Sequence, residues 1–240
     1  MNTNNNSYTL LYATVMVVIV ALVLALVSGS LKEKQTTNVE LDKMKQILSS
    51  LNVDTQGQDA KALWSQYITE EQVVNSAAEV IAAPKVKAFD IVLKKELAKP
   101  LDARELPLFV ANVDGATKYI ISLYGAGLWG PIWGYVALNE DMNTVYGTYF
   151  SHASETPGLG AEIALKAFQE KFIGKSILND QREFMSIAIV KPGQTADGQD
   201  YVDGISGGTI TSKGVEKMLQ DCLGQYAAYF KQSTVGGTAQ

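Results

Sequence analysis

Between Tyr8 and Leu31 the chain carries no charged residue, reading YTLLYATVMVVIVALVLALVSGSL. As a helix this run is roughly 36 Å long, enough to cross a hydrocarbon layer of about 30 Å with some tilt. It is apolar on every side, so it is not an amphipathic surface helix. A cleavable signal sequence has an apolar region of about 7–15 residues behind a basic end. This run is longer, and MNTNNNS before it contains neither Lys nor Arg. The reading is a short tail (1–7) and a permanent single span (8–31) whose surroundings are membrane lipid. Lys32 and Lys34 follow the run and no Lys or Arg precedes it, so the positive-inside rule places the remainder in the cytoplasm.

After the span, Asn38–Leu51 reads as a juxtamembrane helix with Leu41, Met44, Leu48 and Leu51 on one face. Thr69-Glu70-Glu71-Gln72 has the form of a capping box and predicts a helix from Glu70 to Ala83, stopped by Pro84. Residues 32–105 thus form a helical juxtamembrane segment, within which Lys85–Lys99 shows no clear period.

From Leu106 the pattern changes to strands. LFVANV and ATKYIISLYG flank Asp114-Gly115, a hairpin signal. Trp133–Glu140 and Thr144–Ser151 alternate around the turn Asp141–Asn143. Ala161–Lys175 reads as a helix with Ile163, Ala167, Phe168 and Phe172 as its stripe and Gly174 as its stop. Ser186–Lys191 reads as a further strand. A last helix starts near Lys213, where Val215, Met218, Leu219, Cys222, Leu223, Tyr226 and Phe230 recur at three and four residues. The class is α+β, an antiparallel sheet with flanking helices over 106–232, followed by a tail (233–240) expected to be disordered.

Charge and rare residues remove several functions. A net charge of −5 without a Lys/Arg cluster gives no surface for nucleic acid. Cys222 and His152 are the only cysteine and histidine, which excludes an internal disulfide and argues against a Cys/His zinc site or a Cys-His catalytic pair. No Gly-x-Gly-x-x-Gly stands between a strand and a helix as the fold signature of a dinucleotide site, and there is no cysteine cluster for iron–sulfur.

The stretch DGISGGTITS, Asp203–Ser212, stands directly before the last helix. Helix N-termini carry unpaired N–H groups and the positive end of the dipole, where a phosphate is favourable. Gly207 and Gly208 let backbone approach a ligand, and Thr211 or Ser212 is the expected N-cap. A plain capped turn has the same composition.

DGISGGTITS resembles the flavin-attachment motif of FMN-binding domains, Asp-Gly-x-Ser/Thr-Gly-Ala-Thr, with Gly208 where that family carries Ala. Gly125–Gly130 (GAGLWG) resembles the family's Gly-x-Gly-Leu-Trp stretch, and Glu155–Gly160 its ETPGLG stretch. With the span in front, the chain is similar to the C-subunit family of sodium-translocating NADH:quinone reductases. The resemblance implies FMN joined by a phosphoester to Thr209, with Thr211 as second candidate. It implies a phosphate cradle of Ser206, Gly207 and Gly208, and Asp203 as a recognition residue for a flavin transferase. Leu128, Trp129 and Leu159 would wall the ring, with Gly158 and Gly160 letting backbone approach and Glu155 and Thr156 at its edge. For Trp129 a core position is the alternative, for Glu155 an exposed loop carboxylate, and for Lys213 pairing with the phosphate competes with simple solvation. His152 is given no role.

The family resemblance further implies an electron relay within a multi-subunit complex of the bacterial inner membrane, coupling NADH oxidation and quinone reduction to sodium transport. It places the soluble domain in the periplasm, against the two lysines. Two alternatives stay open: the G subunit of the Rnf electron-transport complex, and a membrane-tethered binding module without redox chemistry.

Overall fold

A computed structural model describes residues 6–232, which divide into a unit up to Lys43 and a compact unit from Met44 on. The expected tail 233–240 lies outside the described residues, as do residues 1–5. Helix α1 (Asn6–Ser50) begins in the first unit and covers the apolar stretch and all but the last residue of the stretch Asn38–Leu51. Among the described residues it is the one helix long and apolar enough to cross a membrane, and its apolar window is not buried.

The second unit begins with the last turns of α1. Ile47 and Leu48 are buried there, as is Leu51 just beyond, whereas Leu41 of the expected stripe and Met44 are only half-buried. Next come α2 (Ala60–Tyr67), β1 (Ile68–Val74), α3 (Leu93–Leu97), β2 (Leu106–Val113), β3 (Ala116–Ala126), β4 (Pro131–Leu138) and β5 (Val145–His152). The chain continues through α4 (Lys166–Gln169), β6 (Ala188–Val190), β7 (Tyr201–Asp203), α5 (Thr209–Leu223) and α6 (Ala227–Gln232). Strands β1 to β5 pair antiparallel in sequence order. The β2–β3 hairpin turns at Asp114 (φ 53°) and Gly115 (φ 84°), the double positive φ of the turn that matches strand twist.

Period-2 alternation sends side chains to two separate cores. Leu106, Leu108, Ile121, Leu123, Ile132, Val136 and Phe150 meet the helical layer of α5 and α6 on one face. Phe109, Ala111, Ile120, Tyr135 and Ala137 meet Ile47 and Leu51 on the other, with Trp64 and Phe89 against them. The stripe read for the last helix is buried throughout, from Val215 to Phe230. Burial pushes the Cys222 thiol up to about 11. The thiolate is the reactive form, so Cys222 should resist iodoacetamide at pH 8 in the folded chain and be alkylated once it is denatured, as peptide mass mapping would show.

Two segments depart from the sequence reading. The helix expected over Glu70–Ala83 is replaced by the edge strand β1, in which Val73 and Val74 are buried on opposite faces while Glu70 and Glu71 stay exposed. Pairing with β2 satisfies the backbone groups on its inner edge, and Asn75 Oδ1 then accepts from the amides of Ala77 and Glu79 to turn the chain. The helix expected over Ala161–Lys175 is broken into a tight turn (Gly160–Ala164), α4 and a second tight turn (Glu170–Phe172). Leu165 is extended (φ −85°, ψ 143°), which puts Ala167 outside and Gln169 inside. There the Gln169 amide donates to the carbonyls of Phe150 and Ile163. Ile163, Phe168 and Phe172 are buried as expected, and Gly174 ends the segment at φ 79°. The strand read at Ser186–Lys191 is β6, paired parallel with β7 outside the main sheet.

Candidate functional site

Three chain segments meet at one end of the sheet: the β3–β4 turn, the loop after β5 and the entry to α5. They enclose a cavity of about 230 Å³ lined by Leu128, Trp129, Glu155, Thr156, Leu159, Gly160 and the run Gly207–Thr211.

The β3–β4 turn closes by a hydrogen bond from the Gly127 amide to the Gly130 carbonyl (2.8 Å). Its crest is fixed through the Trp129 backbone. The Trp129 amide donates to Glu155 Oε1 (2.8 Å) and its carbonyl accepts from Ser154 Oγ (2.9 Å). The indole is thereby held out at 66% exposure, so Trp129 is not a core aromatic. Leu128, Leu159 and Ile210 are also exposed and give the cavity an apolar rim.

Glu155 is 5% exposed, not a loop carboxylate in solvent. Besides Trp129 it serves Thr211, whose hydroxyl donates to Oε2 (2.6 Å). The Glu155 amide donates to His152 Nδ1 (3.1 Å), which gives the histidine a structural role in the same loop. The Thr156 carbonyl accepts from the amides of Leu159 and Ala161, so Thr156 starts a compact turn. Gly160 sits where the chain passes Glu155 and Thr211. A Cβ there would collide with Glu155 Oε2 and Thr211 Oγ1. Gly158 stands at φ 76° in the turn, outside the cavity wall, and its amide donates to Glu162 Oε1 (3.0 Å).

The entry to α5 corrects the sequence reading. The helix starts at Thr209 rather than near Lys213, and its N-cap is Gly208, with no side-chain cap hydrogen bond. Thr211 and Ser212 cannot cap it because both are buried and their hydroxyls are committed elsewhere. Thr211 binds Glu155, and Ser212 Oγ accepts from the Ile205 amide (3.0 Å). The first amides of α5 are left to face the cavity mouth without a capping side chain, the arrangement that suits an anion.

Thr209 is exposed at this mouth, whereas Thr211 is 1% exposed. Gly207 holds φ 76°, a conformation a side chain would strain. At Gly208 a methyl would lie 3.0 Å from Ile205 Cγ2 and 3.2 Å from the Leu159 carbonyl carbon. Gly208→Ala should therefore cost about 1 kcal/mol in chemical denaturation, with Ile205 giving way and the entry to α5 kept.

Of the residues named from sequence, Ser206 and Gly158 do not line this cavity. Ser206 faces a neighbouring one of about 300 Å³, which shares Gly207 and Thr209 with the first. Asp203, at the end of β7, is exposed, and its carbonyl accepts from Lys171 Nζ (3.1 Å). Lys213 also lines the neighbouring cavity and is paired with Glu216 Oε2 (2.5 Å). Ile210 was not picked out by sequence. Its signal was an apolar residue lying off the buried stripe of an amphipathic helix.

The FMN-binding domain family matches residues 127–224, a span holding all three segments of the site. The C subunit of the Na(+)-translocating NADH-quinone reductase from Haemophilus ducreyi is 32% identical over 96% of this chain and 96% of its own length. The crystal structure of the corresponding C subunit from Parabacteroides distasonis is 46% identical, covers 88% of this chain and 98% of its own, and superposes with a TM-score of 0.77. The Shewanella oneidensis NqrC structure, 23% identical with a TM-score of 0.69 and covering 83% of this chain and all of its own, shares the fold. By these likenesses, along nearly its whole length, the chain belongs to the NqrC family, the C subunits of Na(+)-translocating NADH-quinone reductases.

Proposed function

We propose that this chain is the FMN-carrying subunit of a sodium-translocating NADH-quinone reductase, with the cofactor joined to Thr209 Oγ1 through a phosphoester. The observation that carries the reading is the contrast between two hydroxyls on one helical turn. Thr209 is exposed at the cavity mouth, while Thr211 is buried and bound to Glu155. The residues present fit the group. The uncapped start of α5 offers N–H donors to a phosphate, and Leu128, Trp129, Leu159 and Ile210 offer apolar surface to a flavin ring. Glu155 is then a residue of the cavity wall whose oxygens already accept two protein donors.

When bound, a flavin takes up and releases electrons one or two at a time. The work of the protein is to hold it. Attachment by a flavin transferase breaks the Thr209 O–H bond and forms an Oγ1–P bond to an activated flavin phosphate. The leaving phosphate takes the P–O electron pair and the proton passes to the transferase. Asp203, exposed on a strand end six residues before Thr209, is the residue we read as recognised by that enzyme. The tether keeps the carrier in place between a donor and an acceptor in neighbouring subunits of the complex, and NADH oxidation is read as the work of another subunit. Residues 8–31 are read as the span of a bacterial inner membrane, with the domain from Leu106 on read as periplasmic.

Mass measurement of the tryptic peptide containing Thr209, from the complex purified out of its native membrane, tests the reading. An added FMN phosphoester mass on Thr209 supports it, and a bare peptide in the presence of active transferase refutes it. Partner subunits that co-purify separate this complex from an Rnf assembly. A non-fluorescent denatured band would leave the tethered binding module as the better account.

A further inference from the structure

Glu155 is nine-tenths or more buried, and its two oxygens join segments that are far apart in sequence. Oε1 holds the Trp129 amide at the crest of the β3–β4 turn and Oε2 holds the Thr211 hydroxyl in the first turn of α5. Nothing else among the described hydrogen bonds ties these two elements at the cavity. On the opposite side of the same turn, Ser212 Oγ accepts from the Ile205 amide and fixes α5 to the incoming loop. The backbone is shaped to admit this carboxylate, because Cβ atoms at Gly127 and Gly160 would both run into it. Deeper in the helix, Gly214 lets α5 sit against the Ala126 carbonyl at the end of β3.

Among the described hydrogen bonds, none is made by the Thr209 side chain. Its orientation follows from the turn that carries it, and that turn is clamped by Glu155 through Thr211. We propose that Glu155 is a positioning residue for cofactor attachment. Its carboxylate locks the first turn of α5 to the Trp129 turn, so that Thr209 Oγ1 is presented outward with the free helix amides beside it. This rests on the reading of Thr209 as the attachment point. Glu155 acts through Thr211 and does not need to touch the phosphate.

The full-length chain, co-expressed with an active flavin transferase, gives the test. Covalent flavin per chain is followed over time by in-gel fluorescence and intact mass, with thermal melting in parallel. Glu155→Leu removes both acceptors and should slow labelling at least about tenfold with native melting retained, since misplacing a reacting atom is costly in rate. Glu155→Gln should restore labelling to within about twofold of wild type. Its oxygen can accept from the Trp129 amide and its amide can donate to Thr211 Oγ1.

Labelling of Glu155→Leu at the wild-type rate overturns the proposal. So does a Glu155→Gln variant as slow as Glu155→Leu, which would show that charge and not position is what matters. If Glu155→Leu melts early, Thr211→Val decides. It severs one arm of the clamp only, and slowed labelling in a normally melting chain supports the proposal where an unchanged rate overturns it. A wild-type chain that takes no label refutes the attachment reading itself, a result distinct from all of these.

Discussion

Thr209→Val is expected to abolish covalent flavin completely while leaving the fold intact. Valine keeps the size and branching of threonine but has no oxygen to form the phosphoester. The site is exposed in the first turn of α5, and Gly208, not Thr209, is its N-cap. Surface replacements of this kind change stability by no more than about 0.5 kcal/mol. The denatured band should lose its fluorescence and the intact mass should fall by the flavin phosphate, with melting unchanged. Thr211→Val should retain the label, though slowed. A label that survives in Thr209→Val and maps to Thr211 would invert the assignment.

Phe150→Ala is expected to have the opposite signature, a large loss of stability with the attachment chemistry still possible in the surviving folded fraction. Phe150 is fully buried on β5, with ring centroids 5.2 Å from Phe172 and 6.1 Å from Phe168, while those two are 5.4 Å apart. The three rings anchor the broken segment after Gly160 to the sheet. Truncating a phenylalanine in such a setting costs about 3–5 kcal/mol through lost burial and the cavity left behind. Chemical denaturation would measure the loss directly. A loss under about 1 kcal/mol would mean that the segment is held by something other than this cluster.

These two residues also mark what the sequence could and could not disclose. Strands β2 to β5 were legible because each alternates and each turn carries its own chemistry, as at Asp114-Gly115. The stripe from Val215 to Phe230 was legible because its spacing of three and four residues persists through α5 and on into α6. Residues 161–175 have the same period in their apolar positions, yet they form short turns. Leu165 goes extended, and buried Gln169 finds carbonyl partners on β5 and the preceding turn that no local pattern announces. Likewise, TEEQ looks like a helix start until the sheet offers β1 a neighbour. At the site, the residues Leu128, Trp129, Glu155, Leu159 and Gly160 were recognisable by motif, but their roles were not. That Glu155 is buried and Trp129 exposed depends on a contact between positions 26 apart in the chain. The choice between Thr209 and Thr211 depends on one 56 apart.

The cavity takes its walls from residues 128–129, 155–160 and 207–211. The five-stranded meander joins only sequence neighbours and can assemble as the chain emerges, whereas the third wall arrives with nearly the last helix made. Until α5 docks its stripe on the sheet, Glu155 has no Thr211 to hold and the recess has only two sides. On the proposed attachment at Thr209, a chain that bears the group is therefore one whose α5 has already docked, so the label would report that the third wall is in place.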